Sequence, residues 1–154
     1  MRRKEQEITD KVIIDKILNE SEICRIAMVD GTEPYIVPLN YGYSNHVIYL
    51  HSSPAGRKME IIGANNRVCF EIEYGLEIIK KDEPCQWSAK YRSVIGYGNI
   101  EIVTDTENKK KGLDIIMQKY GYQVPGNYNE GSLSRMVLLQ LKIEKLTGKQ
   151  SGDW

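Results

Sequence analysis

The segment from Tyr49 to Lys58 places hydroxyl, imidazole and basic side chains around a proline and a glycine. The pattern predicts a strand that ends at Ser52 and Ser53 and then a helix start that carries Arg57 and Lys58. The first backbone N–H groups of a helix have no partner within the helix, and the helix dipole favours an anion beside them. Such a start could therefore bind a phosphate group through charge-assisted hydrogen bonds. A serine-capped, solvated helix start without a ligand is the alternative.

A histidine lies at the end of the same strand. In a strand, His51 falls on the face opposite Ile48 and Leu50. No paired Asp or Cys nucleophile accompanies it, so the sequence does not support a hydrolase. A hydrogen-bonded structural ring is the alternative to a chemical role.

Pro38 interrupts a run from Pro34 to Tyr43 that otherwise has the character of a strand. Proline cannot donate a hydrogen bond to a sheet ladder, so this strand must lie at an edge or carry a bulge. Either arrangement frees backbone donors and acceptors, which a planar heterocycle requires. An edge strand without a ligand is the alternative.

The segment from Gln86 to Gly96 mixes aromatic and basic residues in strand alternation. One face would carry Trp87, Ala89, Tyr91 and Ser93, and the other Ser88, Lys90, Arg92 and Val94. The aromatic face could pack on a partner subunit while the other face lines a polar cleft. A solvated edge strand is the alternative.

No catalytic triad, paired-carboxylate motif, HExxH, P-loop or GxGxxG motif is present. Redox chemistry would therefore need a bound cofactor, because these side chains cannot accept a hydride. The three cysteines, Cys24, Cys69 and Cys85, have no CxxC spacing and predict neither a disulfide framework nor a metal site. We expect Cys24 and Cys69 in the core and Cys85 partly exposed.

Charge and hydropathy argue against a nucleic-acid-binding, membrane or secreted protein. Lys plus Arg and Asp plus Glu number 21 each, so no basic excess predicts a nucleic-acid or membrane partner, and self-association meets little repulsion. The N-terminus leads into no apolar run of signal-peptide type, and we expect a cytoplasmic protein.

Periodicity predicts a mainly β chain with short helices. Alternation indicates six strands, over 22–29, 34–43, 46–52, 67–74, 87–103 and 136–146. Helical spacing indicates helices after Asp10, from Gly56 to Ala64 and after Asp105, and residues 121–134 are predicted as a loop. We expect one domain over 1–154, with a helix within 1–20, a barrel with short helices over 21–149 and a tail over 150–154. Antiparallel strands in this number usually close into a barrel.

Five segments together resemble the nitroimidazole-resistance (Nim-type) branch of the pyridoxamine 5′-phosphate oxidase-like proteins. They follow one another in the order of that branch and span nearly the whole chain. They are Arg2–Lys4 with Ile8–Asp10, Pro34–Tyr43, His51-Ser52 with Gly56-Arg57-Lys58, Tyr91–Gly98, and Leu146–Lys149.

The resemblance implies a six-stranded antiparallel flavin-binding split barrel that forms a homodimer, with two FMN sites at the subunit interface. It matches His51 with a histidine that the branch holds near the flavin. The implied flavin strand carries Val37, Pro38, Leu39 and Asn40, and the implied phosphate site carries Ser52, Gly56, Arg57 and Lys58. The long strand with Trp87, Ser88, Tyr91 and Ser93 would face the cofactor or the partner subunit.

The same resemblance implies an oxidoreductase that passes electrons from NAD(P)H through FMN to a small acceptor such as a nitroaromatic. His51 would orient or protonate that acceptor. A non-catalytic flavin- or haem-binding protein that acts as a cofactor sink or sensor is one alternative. A dimeric structural barrel without a cofactor is another.

Overall fold

The computed structural model describes residues 3–154, and three of its strands, over 33–44, 67–79 and 137–151, are longer than the sequence pattern predicts. In chain order the elements are β1 (Glu7–Ile8), α1 (Lys11–Glu20), β2 (Ile23–Asp30), β3 (Glu33–Ser44), β4 (Val47–Ser52), α2 (Arg57–Ala64), β5 (Arg67–Ile79), β6 (Ser88–Val103), α3 (Thr106–Lys119), α4 (Glu130–Ser134) and β7 (Val137–Ser151). Among these residues, no helix is both long and apolar enough to cross a bilayer.

Two helices begin at the side-chain caps that the sequence supplies. The Asp10 carboxylate accepts a 2.8 Å hydrogen bond from the Val12 N–H at the start of α1. The Asp105 carboxylate accepts one of the same length from the Asn108 N–H at the start of α3. Caps of this kind typically stabilise a helix by about 1 kcal/mol each.

Six strands close into an antiparallel barrel in the order β7-β4-β3-β2-β5-β6, because β6 pairs with β7 as well as with β5. β1 adds a seventh strand, with Glu7 opposite Lys149 and Ile8 opposite Gly148. The prediction of a mainly β, antiparallel barrel with short helices is therefore confirmed.

The barrel encloses one apolar core that two helices cover from its ends. Phe70, Ile26 and Leu50 are fully buried within it. The apolar side chains Ile17 and Leu18 of α1 belong to the same core, as do Ile61 and Ile62 of α2. The buried Tyr41 donates a 2.7 Å hydrogen bond to the Leu18 carbonyl, which ties α1 to β3.

A second apolar layer lies outside the barrel, where α3 and α4 pack on β4 and β7. Its buried members are Leu113, Ile116, Leu133 and Leu138. Gly42 lets α3 approach β3 closely, because a Cβ at that position would lie 2.7 Å from the Ile115 carbonyl carbon. One side of the barrel is thus covered by helices, while the outer surface of β2, β5 and β6 is not.

The barrel is split between β3 and β4. The two strands pair only from Tyr41 opposite Leu50 to Ser44 opposite Val47. Residues 33–40 of β3 pair with β2 alone, so their other side is an open edge. Pro38 predicted either an edge or a bulge, and the structure has the edge. The nitrogen of Pro38 carries no hydrogen, but no ladder hydrogen bond is lost at an open edge.

Several boundaries differ from the sequence predictions. Within 1–20 only Lys11–Glu20 is α-helical, while Met1 and Arg2 lie outside the described residues. The predicted tail 150–154 begins inside β7, because Gln150 and Ser151 still pair with β6. α4 lies inside the predicted loop 121–134, where the Asn129 side chain accepts a 2.8 Å hydrogen bond from the Ser132 N–H.

The hairpin between β5 and β6 is longer than predicted. β5 continues to Ile79, and β6 begins at Ser88, so that Trp87 lies in a 3-10 turn before the strand. We call residues 75–90 the β5–β6 ribbon, because its strands pair with each other but no longer with β2 or β7.

Among the cysteines, Cys24 is buried and Cys85 exposed, as predicted. The prediction of Cys69 as a core residue is wrong. It is half-buried and opposes Ala27 and Tyr97 on the outer surface, because strand alternation sends its neighbours Val68 and Phe70 inward.

Candidate functional site

The start of α2 is open to an anion. Gly56 precedes the helix with φ 110° and ψ 169°, a conformation that only glycine adopts readily, and no side chain caps the helix. The N–H groups of the first turn therefore lack the capping partner that α1 and α3 possess. A Cβ at Gly56 would meet no atom within 4 Å, so the space in front of the helix is free.

Arg57 is held in a defined position at this helix start. Its Nε donates a 2.9 Å hydrogen bond to Asp30 Oδ2 at the end of β2. Its guanidinium lies over the Tyr35 ring of β3, 4.8 Å from the ring centroid. The Nε–H of the guanidinium is thus hydrogen-bonded, and its other N–H groups can donate to a planar or tetrahedral anion. Asp30 and Tyr35 could not be identified from the sequence as neighbours of Arg57, because their contacts join three separate elements.

His51 and Asn40 lie on opposite sides of the split. Gly42 opposes Tyr49 in the last part of the β3–β4 ladder. Two residues further along each strand, Asn40 and His51 follow on the same face, where pairing between the strands has ended. Both are exposed. The buried side chains of Leu50 and Ser52 point inward beside His51.

The electrostatics of His51 follow from its surroundings. Partial desolvation lowers the pKa of His51 below its ordinary value, and the nearby charge of Lys58 lowers it further. Partial burial also lowers the pKa of Lys58. An anion placed between these two side chains would raise the pKa of His51 and the pKa of Lys58, because a negative charge stabilises their protonated forms. The pair is therefore suited to a negatively charged ligand.

The flavin-strand residues of the resemblance line the open edge. Val37 and Leu39 point inward and pack against the core, whereas Pro38 and Asn40 are exposed on the outer face. Pro38 opposes Arg25 of β2. The structure therefore brings together two groups of predicted site residues. They are Val37, Pro38, Leu39 and Asn40 along the edge, and His51, Ser52, Gly56, Arg57 and Lys58 across the split.

Of the remaining predicted residues, Tyr91 and Ser93 lie within the barrel sheet, where Tyr91 opposes Ser151 and the buried Ser93 opposes Glu73 and Lys149. Trp87 and Ser88 lie at the far end of β5 and β6. Arg67, just after α2, begins β5, and Ser88 opposes Ile79 at the far end of that strand. Twelve strand residues separate these ends, which corresponds to about 40 Å. Trp87 donates a 2.8 Å hydrogen bond from Nε1 to the Lys81 carbonyl and so closes the tip of the ribbon. One chain alone does not join Trp87, Ser88, Tyr91 and Ser93 to His51.

An apolar patch covers the outer surface that no helix overlies. The register aligns Ile36, Ala27, Cys69 and Tyr97 in one row across four strands. Ile95 lies beside this row, and the three largest members are well exposed: Ile36 by 59%, Ile95 by 43% and Tyr97 by 44%. We call these five residues the outer patch. It reaches the open edge of β3, so the split and the patch adjoin.

A cavity of about 490 Å³ lies elsewhere, between β1, α1 and the outer part of β7. Ile8, Asp15 and Tyr43 line it, together with residues 143–148. It contains none of the predicted site residues. Cavity volume is therefore a poor guide to this site, which lies in an open split at the protein surface.

Comparison with known proteins identifies the architecture. A sequence model of the family described as pyridoxamine 5′-phosphate oxidase matches residues 10–150. No curated protein sequence matches the chain. A structure described as a 5-nitroimidazole antibiotic resistance protein from Bacteroides thetaiotaomicron is 32% identical, with a TM-score of 0.84 over 94% of this chain and 86% of that one.

Two more distant structures share the fold. The FAD- and haem-binding protein from Mycobacterium smegmatis is 18% identical, with a TM-score of 0.84 over 97% of this chain and 75% of that one. The flavocytochrome Anf3 from Azotobacter vinelandii is 16% identical, with the same TM-score over 99% of this chain and 72% of that one. The resemblance inferred from the five sequence segments is confirmed by the family match and by the 32% identical structure.

Proposed function

Because this chain belongs to the pyridoxamine 5′-phosphate oxidase family, we propose that it is a cytoplasmic, FMN-binding oxidoreductase that works as a homodimer. The observation that carries the proposal is the uncapped start of α2 beside an open split in the barrel. That arrangement offers one end suited to a phosphate and one edge suited to a planar ring.

The residues fit the phosphate of FMN. Arg57 and Lys58 supply positive charge and donors through their side chains and through their own backbone N–H groups, and Gly56 leaves the approach open. Charge-assisted hydrogen bonds of this kind contribute about 1.5–3 kcal/mol each. Ser52, which is buried at the end of β4, would lie beside the same group. We therefore assign the phosphate to this helix start.

The open edge of β3 fits the ring. Pro34, Pro38 and Asn40 occupy alternate positions whose backbone groups face away from β2, since proline occurs only where no N–H is needed. The free groups at this edge can hydrogen-bond the alternating donors and acceptors of an isoalloxazine. His51 lies across the split from Asn40 and would be next to the ring.

A second copy would complete the site. The outer patch adjoins the split, and monomeric proteins rarely leave large apolar patches uncovered. Packing of two outer patches about a twofold axis would cover Ile36, Ile95 and Tyr97 of both chains. The β5–β6 ribbon, which projects beyond the barrel, could then carry Trp87 and Ser88 to the split of the other chain, with Tyr91 at the base of the ribbon.

The proposed reaction is the reduction of a small acceptor such as a nitroaromatic at the expense of NAD(P)H. FMN supplies the hydride-accepting centre that the side chains lack. Reduction of a nitro group to a nitroso group consumes two electrons and two protons and releases water. His51 would hydrogen-bond the nitro oxygen and deliver one of those protons, because it is the imidazole at the split.

Anaerobic spectroscopy tests the reaction. The FMN-loaded protein should lose its oxidised flavin absorbance on addition of NADH or NADPH and regain it on addition of a nitroaromatic. A loaded protein that neither nicotinamide reduces would contradict an NAD(P)H-dependent enzyme. That result would favour the non-catalytic flavin- or haem-binding alternative.

A pH profile tests His51 as the proton donor. In the flavin-free chain the pKa of His51 lies below its ordinary value, and the phosphate of bound FMN would raise it again, so the imidazole becomes a donor as the pH falls through the pKa that it has in the loaded protein. We expect acceptor reduction by the reduced, FMN-loaded protein to accelerate as the pH falls through that pKa and then to level off. His51→Gln should lower the rate by about 10²-fold and abolish that acceleration. An unchanged profile in His51→Gln would rule out this role, and His46→Gln, in the β3–β4 turn, is the matched control.

A further inference from the structure

The β5–β6 ribbon lacks support from the barrel sheet. β7 pairs with β6 only as far as Tyr91, opposite Ser151. β2 pairs with β5 only as far as Ile72, opposite Cys24. Beyond those points β5 and β6 pair only with each other, and an isolated two-stranded ribbon is marginally stable in water. A side chain outside the sheet must therefore fix the direction in which the ribbon projects.

Trp154 packs against the base of this ribbon. Its ring stacks on Tyr74, with 6.1 Å between centroids and an interplanar angle of 29°. Arg92 and Lys90 of β6 lie over the indole at 4.1 Å and 4.7 Å from the ring centroid. The indole Nε1 donates a 3.0 Å hydrogen bond to the Ser151 carbonyl, which ties the ring to the end of β7.

Two glycines make room for this contact. A Cβ at Gly75 would lie 2.6 Å from Trp154 Cη2, and Gly75 has φ +66° at the point where the β5–β6 register shifts. A Cβ at Gly152 would lie 2.8 Å from Lys90 Cβ, and Gly152 has φ +78°. The base of the ribbon and the segment after β7 are therefore complementary in shape, and the two cations of β6 add cation–π contacts to the indole.

We propose that Trp154 is a positioning residue that holds the β5–β6 ribbon in its projecting orientation. Through the ribbon it prepares Trp87 and Ser88 for the flavin site of a second copy. The inference rests on the proposed function for its second part only. The contact between Trp154 and the ribbon stands on the geometry of one chain.

Limited trypsin digestion of the flavin-free chain tests the first part. In Trp154→Ala, cleavage at Lys80 and Lys81 near the ribbon tip should become at least about fivefold faster, because proteolysis follows the population of locally opened states. Trp154→Phe keeps a ring for Tyr74 and should restore the slow cleavage. Tyr122→Ala, which removes an exposed aromatic side chain from the segment after α3, is the control. Equal cleavage rates in Trp154→Ala and the unsubstituted protein would overturn the positioning role.

FMN titration of the same three variants tests the second part. Trp154→Ala should bind FMN about tenfold more weakly, because part of the binding free energy would be used to order the ribbon. Trp154→Phe and Tyr122→Ala should bind as the unsubstituted protein does. Faster cleavage together with unchanged FMN affinity would overturn the link between the ribbon and the flavin site. An unsubstituted protein that binds no FMN would contradict the proposed function, while the digestion would still decide the role of Trp154.

Discussion

Replacing Arg57 and Lys58 together by alanine should weaken FMN binding by at least about 10²-fold, because two charge-assisted hydrogen bonds to the phosphate contribute about 3 kcal/mol or more. Riboflavin has the same ring without the phosphate, so its affinity should change by less than about threefold. Fluorescence titration of both ligands measures the ratio directly. The ratio isolates the phosphate contact from any general change in the protein.

Lys110→Ala with Lys111→Ala is the matched control for this variant. It also removes two adjacent cations from a helix, α3, whose start is capped by Asp105. FMN affinity in the control should stay unchanged. Equal FMN affinity in the Arg57/Lys58 variant and the unsubstituted protein would mean that α2 does not bind the phosphate. A parallel loss of riboflavin affinity would instead indicate a damaged fold.

Tyr97→Asp should convert a dimer into a monomer. Tyr97 lies in the outer patch with 44% of its surface exposed in one chain. In a twofold interface the substitution would enter twice, and each unpaired carboxylate buried there would cost several kcal/mol. Sedimentation velocity should therefore give a mass near 17.7 kDa for the variant and near twice that value for the unsubstituted protein.

Tyr122→Asp is the control for this prediction, because it introduces the same charge at an exposed tyrosine outside the outer patch. It should remain dimeric. FMN affinity should fall in Tyr97→Asp as well, since the proposed site draws on both chains. An unsubstituted protein that sediments as a monomer, or a dimeric Tyr97→Asp, would contradict the assignment of the outer patch as the dimer interface.

The edge of the candidate site could be predicted from local chemistry. Pro38 cannot donate a hydrogen bond to a sheet ladder, so its strand must lie at an edge or carry a bulge. The sequence alone therefore predicted free backbone groups there. Gly56, Arg57 and Lys58 are adjacent in the sequence, and they predicted a helix start that can bind an anion. Those two features proved to be neighbours across one split, which local patterns do not reveal.

Contacts between distant segments could not be predicted in this way. No sequence pattern links Asp30 to Arg57, yet Asp30 orients Arg57 from the end of β2. The end of β7 has little apolar alternation after Leu146, and it forms a strand because β6 and β1 pair with it. Trp154 lay in the predicted tail, and its packing on Tyr74 depends on two glycines far apart in the chain.

Titration of the flavin-free, unsubstituted protein with FMN, followed by absorbance and by flavin fluorescence, measures FMN binding itself. We expect saturation at one FMN per chain, two per dimer, with FMN bound more tightly than riboflavin. A protein that leaves the absorbance and fluorescence of added FMN unchanged would contradict the proposed FMN binding.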